Sequence, residues 1–184
     1  MNFRINDQHW LDNVKRVPSP FCDSRQDETD ISLLVIHNIS LPPGQFGGPY
    51  IEQLFTGQLD PNGHPYFQEI HQLRVSAHCL IRRDGEVIQF VPFNARAWHA
   101  GVSEFAGREK CNDYSVGIEL EGTDTLPYTP AQYDALHQLS STLLARYPQL
   151  SRARITGHEF IAPGRKTDPG LAFDWRYYKT GLSD

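Results

Sequence analysis

ISLLVIHN, Ile31 to Asn38, decides the fold. The run is short, apolar and rich in β-branched residues, so it reads as a buried strand rather than one face of a helix. It ends near His37, which sets an imidazole at the end of a core strand. SVGIELE, Ser115 to Glu121, is a second strand, closed by Gly122. Its period of two puts Val116, Ile118 and Leu120 on one face and Glu119 with Glu121 on the other. A third short run, Ala153 to Thr156, leads into His158. AHCLIRRDGEVIQFV, Ala77 to Val91, reads as a hairpin whose Asp84-Gly85 pair suits a type I′ turn.

Thr129 to Tyr147 is the clearest helix. Thr129 caps it, Pro130 fits the first helical position, and Gln132 completes a capping box. Leu136, Leu139, Leu143 and Tyr147 form one apolar stripe before Pro148 stops the helix. Residues 2–30 read as irregular. Residues 40–66 read as a long Gly- and Pro-rich loop with a short helix at Tyr50 to Phe55, and its length marks it as a candidate flap over a site. Interspersed strands and helices predict an α/β (α+β) fold: a single domain over residues 1–184, core about 30–175, with a central mixed β-sheet flanked by helices.

With 184 residues the chain can bury an ample core. Its net charge of −5 and lack of a dense Lys/Arg cluster argue against a nucleic-acid partner. No apolar run is long enough for a membrane span, and the first twenty residues lack a secretory h-region. Three cysteines, Cys22, Cys79 and Cys111, without paired spacing suit a reducing compartment, so a cytoplasmic location is expected. No G-x-S-x-G elbow is present, and neither Cys79 nor Cys111 lies in a nucleophile motif. The seven-residue recurrence of His64, His71 and His78 is preceded by Gly63 and interrupted by Pro65, and it carries no second metal site.

The chemistry-bearing stretch is GHEFIAPGRKTDPG, Gly157 to Gly170, a Gly- and Pro-rich loop holding His158, Lys166 and Asp168. If its strand neighbours the one ending at His37, two imidazoles and one carboxylate share a sheet edge. Such a set suits a hydrolytic Zn²⁺ with one open position. Spacing alone leaves both Glu119 and Glu121 open as the base.

Taken in order, VIHNISLPPGQFGGPYI, HPYF, LRVSAHCLIRRDGEV, RAWHAG, GREKCNDYSVGIELEGTDTLPYT and GHEFIAPGRKTDPG resemble the AmpD-type 1,6-anhydro-N-acetylmuramyl-L-alanine amidases. These are zinc amidases of peptidoglycan recycling, within a class that includes phage amidases and peptidoglycan recognition proteins. The resemblance implies that class's fold and one zinc ion on His37, His158 and Asp168. It implies Glu119 as the catalytic carboxylate and Lys166 as the cation beside the metal. It also implies hydrolysis of the amide between the lactyl group of N-acetylmuramic acid and the L-alanine of the stem peptide. The substrate would be an anhydro-muropeptide and the enzyme a monomer. Asn38, Arg74 and Arg165 match substrate-contacting positions, and Tyr66, Trp98 and His99 are expected to line the groove. Lys110 stands where relatives carry Arg, a point charge in place of a planar fork for a stem-peptide carboxylate. A non-catalytic muropeptide-binding module is the alternative, although zinc-free members of the class have lost at least one ligand and all are present here.

Overall fold

The computed structural model describes residues 3–182. Among the described residues are ten strands: β1 (Lys15–Arg16), β2 (Cys22–Ser24), β3 (Leu33–Ile39), β4 (Cys79–Ile81), β5 (Val87–Gln89), β6 (Ala95–Ala97), β7 (Glu104–Phe105), β8 (Arg108–Glu109), β9 (Ser115–Glu121) and β10 (Ile155–Gly157). The helices are α1 (Tyr50–Phe55), α2 (Pro65–Ile70), α3 (Pro130–Arg146), α4 (His158–Ile161) and α5 (Trp175–Thr180). Six strands form one sheet in the order β1-β5-β4-β9-β3-β10. Only β4 and β5 pair antiparallel within it, so the sheet is mixed.

Strand alternation sorts the chemistry from the packing. Leu34 and Ile36 of β3, with Val116, Ile118 and Leu120 of β9, pack against Leu136, Leu139 and Leu143 of α3. Each fully buried leucine of this kind contributes about 1.5–3 kcal/mol. The opposite face carries Leu33 and Val35 against Ala100, Cys111, Tyr114 and Ile161. His37 and Glu119 continue along that second face, because β3 and β9 run parallel in the register Leu33↔Ser115 through Ile39↔Glu121.

The cap of α3 forms as its sequence dictates. Thr129 Oγ1 accepts from the Gln132 amide, and Gln132 Oε1 accepts from the Thr129 amide, both at 3.1 Å. The Gln132 side chain also donates to the carbonyls of Glu121 and Ile81, tying the helix start to β9 and β4. The α1 bounds coincide with the expected Tyr50 to Phe55.

Three local readings are corrected. Gly85 has φ +89° but Asp84 does not have positive φ, so the β4–β5 connection is not a type I′ turn. It is a longer loop closed by Gly85 N–H to Arg82 O and Arg82 N–H to Glu86 O. Residues 3–30 contain β1 and β2, too short to show any periodicity, while residue 2 lies outside the described residues. The stretch 40–66 expected as loop ends in the start of α2, Pro65–Ile70; Pro65 opens it and His64 Nδ1 accepts from the Tyr66 amide as its cap. No described helix is long and apolar enough to cross a membrane.

Candidate metal centre and active site

The site is assembled along one row of the sheet. Gly157 pairs with Ile36 and Glu119 pairs with His37, so β9, β3 and β10 bring Glu119, His37 and His158 side by side at one edge. His158 opens α4, directly after β10. Asp168 returns from the following loop, whose course is held by Glu159 N–H to Asp168 O at 2.9 Å.

His37 Nδ1, His158 Nδ1 and Asp168 Oδ2 form a triangle with every side 3.0 Å. His158 Nε2 lies 3.0 Å from the Ala100 carbonyl, which only accepts. Nε2 therefore carries the proton of the neutral ring, and Nδ1 turns a lone pair toward the Asp168 carboxylate. Two electron-pair donors that close to one another call for a cation between them. The separations are compatible with three bonds of about 2.0–2.2 Å from one ion. This is the one cluster of His, Cys, Asp or Glu among the described residues with metal-binding spacing. The imidazole and carboxylate donors suit a borderline divalent ion.

Burial governs the electrostatics. It holds the His37 imidazole down at about 4, against a hydrogen bond to the Asp168 carboxylate that pulls the other way. Asp168 is opposed by burial too, but the imidazoles of His158 and His37 outweigh it and keep the carboxyl below its ordinary range. Burial, with the Asp168 charge adding to it, pushes Glu119 well above the usual carboxylate range. Glu119 Oε2 is buried and has no hydrogen-bond partner. Glu121 is consumed elsewhere: its carboxylate accepts from Arg82 Nη1 at 2.9 Å, Gly47 N at 2.7 Å and Arg83 N at 3.2 Å.

The other expected positions divide by their contacts. Lys166 is exposed on the ligand loop, and its charge favours the ionised form of Glu119 and disfavours protonation of His37. Asn38 Nδ2 donates to Asp124 Oδ1 at 2.8 Å and the Pro169 carbonyl at 3.1 Å, bracing the loop end beside Asp168. Arg165 Nη2 donates to the carbonyls of Ala100 and Val102, both at 2.6 Å. Arg165, Lys110 and Arg96 line a cavity of about 730 Å³ with Gly101 and Ile161. Tyr66 and Arg74 are exposed on and after α2. Trp98 stacks on Phe21 and donates from Nε1 to Asp23 at 3.1 Å.

His99 remains partly exposed, and its ring is anchored at both nitrogens. Its Nδ1 lies 2.8 Å from His37 Nε2 and its Nε2 lies 3.0 Å from Ser115 Oγ, so both ring nitrogens are engaged within the protein. Burial first, then the neighbouring His37 and His78, depress its basicity well below the usual imidazole range. Gly117 was the available signal: a glycine inside a strand marks a close approach, and here a Cβ would stand 2.5 Å from His99 Cγ.

Residues 27–171 match the family described as N-acetylmuramoyl-L-alanine amidase. A Citrobacter freundii protein named 1,6-anhydro-N-acetylmuramyl-L-alanine amidase AmpD is 62% identical over 173 residues, covering 94% of this chain and 92% of its own. A crystal structure of a selenomethionine AmpD derivative superposes with a TM-score of 0.94 at 60% identity, covering 98% of this chain and 100% of that one. The Escherichia coli amidase AmiD, solved with the substrate anhydro-N-acetylmuramic acid-L-Ala-D-γ-Glu-L-Lys, is more distant: TM-score 0.61, 26% identity, 96% of this chain and 65% of that one. The chain belongs to the N-acetylmuramoyl-L-alanine amidase family and, within it, is of the AmpD type.

Proposed function

We propose that this chain is a zinc hydrolase of peptidoglycan recycling. It cuts the amide joining the lactyl group of 1,6-anhydro-N-acetylmuramic acid to the L-alanine of the stem peptide. The observation that carries this reading is the 3.0 Å triangle of His37, His158 and Asp168 beside the unpartnered Glu119 Oε2. A zinc ion held by those three residues supplies Lewis acidity toward water and the amide carbonyl.

The chain's own groups do the rest. Glu119, with its basicity raised by burial, takes a proton from the attacking water at Oε2 and returns one to the leaving alanine nitrogen. The Lys166 ammonium stabilises the negative charge that develops on the carbonyl oxygen. Asn38, braced by Asp124, keeps the loop end beside Asp168 in place. The cations Lys110 and Arg165 bordering the 730 Å³ cavity receive the carboxylates of the stem peptide. The substrate is a small soluble anhydro-muropeptide, in keeping with the activity named for the AmpD relatives, and the enzyme acts as a monomer in the cytoplasm.

A purified, zinc-loaded sample is given anhydro-muramyl tripeptide, and products are resolved by mass. Release of anhydro-N-acetylmuramic acid, lost on chelation and restored by zinc, is the expected result. A folded, zinc-loaded protein that binds the muropeptide without cleaving it would establish a recognition module instead. Equal rates on intact sacculi would remove the preference for anhydro products.

A further inference from the structure

We infer that His99 is the positioning residue of the metal centre: it holds His37 in the one tautomer that turns the Nδ1 lone pair toward the ion. The inference rests on reading His37, His158 and Asp168 as the ligand set. A neutral imidazole carries one proton, and the hydrogen bond made by one nitrogen settles which atom is free to bind a metal. His37 Nδ1 faces Asp168 and His158, so a metal-binding His37 carries its proton on Nε2. That atom meets His99 Nδ1 at 2.8 Å, which must then be the acceptor. The proton of His99 is left on Nε2, 3.0 Å from the Ser115 hydroxyl oxygen, which accepts it. The chain His37 to His99 to Ser115 thus runs in one direction.

The position of the ring is built from several elements. Asn112 Oδ1 accepts from two consecutive amides, those of His99 at 3.1 Å and Ala100 at 2.8 Å. Arg25, itself buried, donates to the carbonyls of Asn112, Asp113 and Ser115, which fixes the segment that carries both supports. The ring lies over β9 at Gly117, where any side chain would collide with it. The next residue serves the second imidazole: the Ala100 carbonyl accepts from His158 Nε2. Two consecutive residues therefore orient both histidines, one through a ring and one through a carbonyl. Outer partners of this kind commonly set metal affinity.

The test uses the zinc-loaded full chain. Long-range ¹H–¹⁵N correlation should place the protons of His37 and His99 on Nε2; a proton on His99 Nδ1 overturns the inference, with no variant needed. Zinc affinity is then measured by chelator competition for wild type, His37→Ala, His99→Asn and His99→Phe. Asparagine keeps an acceptor near the Nδ1 position, so His99→Asn should stay within about threefold of wild type, while His99→Phe weakens binding about 10–100-fold. A folded His99→Phe protein with wild-type affinity refutes the positioning role. If His37→Ala also keeps wild-type affinity, the ligand set itself is wrong, whereas loss in His37→Ala alone confines the failure to His99.

Discussion

His37 and Glu119 are register partners on the parallel strands β3 and β9, and both project to the face opposite α3. That pairing sets an imidazole of the proposed ligand set and a buried carboxylate in one row. Glu119→Gln should keep the fold and the metal while kcat falls by about 10²–10⁴, the usual contribution of a positioned general base. Turnover at saturating anhydro-muropeptide, with zinc stoichiometry measured on the same sample, checks it. Substantial turnover in the zinc-loaded Gln variant would remove Glu119 from the proton transfer.

Asp168 Oδ2 touches both histidines, so Asp168→Ala breaks two sides of the triangle. Zinc at a hundredfold excess over its dissociation constant should stabilise the wild type by about 2.7 kcal/mol. The Asp168→Ala protein should lose most of that gain. Thermal melts with and without zinc compare the two, and an equal upward shift in both would place the ion elsewhere.

His78 sets a pH limit on the metal-free fold. Its Nδ1 accepts from the Gly117 amide at 3.0 Å and its Nε2 proton faces the Ala95 carbonyl at 3.1 Å, so the neutral ring fits and a second proton does not. Burial, with Arg25 adding to it, lowers its pKa from 6.5 to about 3. The unfolded chain therefore takes this proton first. The group costs nothing above pH 6.5, and stability falls by about 1.4 kcal/mol per pH unit as pH drops from 6.5 toward 3. Urea unfolding at pH 7, 6 and 5 should show a shallower decline in a folded His78→Gln variant by one proton's worth of slope. An unchanged slope would mean that His78 is not the group responsible.

The loop before α1 is anchored by a buried ion pair. Arg82 bridges Glu121 at 2.9 Å and Glu52 at 3.0 Å, while Glu121 also holds the Gly47 amide. Arg82→Ala leaves Glu121 buried without its cation and should cost about 3–5 kcal/mol. The double variant Arg82→Leu with Glu121→Leu should cost less than that single change, because it strands no charge. Denaturant midpoints decide it, and a double variant less stable than Arg82→Ala would show that the loop anchor, rather than the stranded charge, dominates.

Legibility followed the range of the interaction. The α3 cap at Thr129 and Gln132 was readable because its partners stand three positions apart. The alternation of β9 separated Val116, Ile118 and Leu120 from Glu119 and Glu121, but period two could not choose between the glutamates. Their partners distinguish them: Arg82, Arg83 and Gly47 occupy Glu121, and no hydrogen bond reaches Glu119 Oε2. The turn at Asp84 was misread because a type I′ pair and a longer glycine-closed loop share the same dipeptide.

The sequence by itself determined the core strands, the long helix with its cap and, through resemblance, the family and the residue types of its site. Those depend on near neighbours along the chain or on long matching segments. Tertiary structure alone decided that His37 and His158, 121 residues apart, meet at 3.0 Å, and that the His99 ring joins His37 to Ser115. The physical reason is that strand order, register and burial are set by contacts between distant segments. The protonated nitrogen of each buried imidazole follows from whichever partner those contacts place beside it.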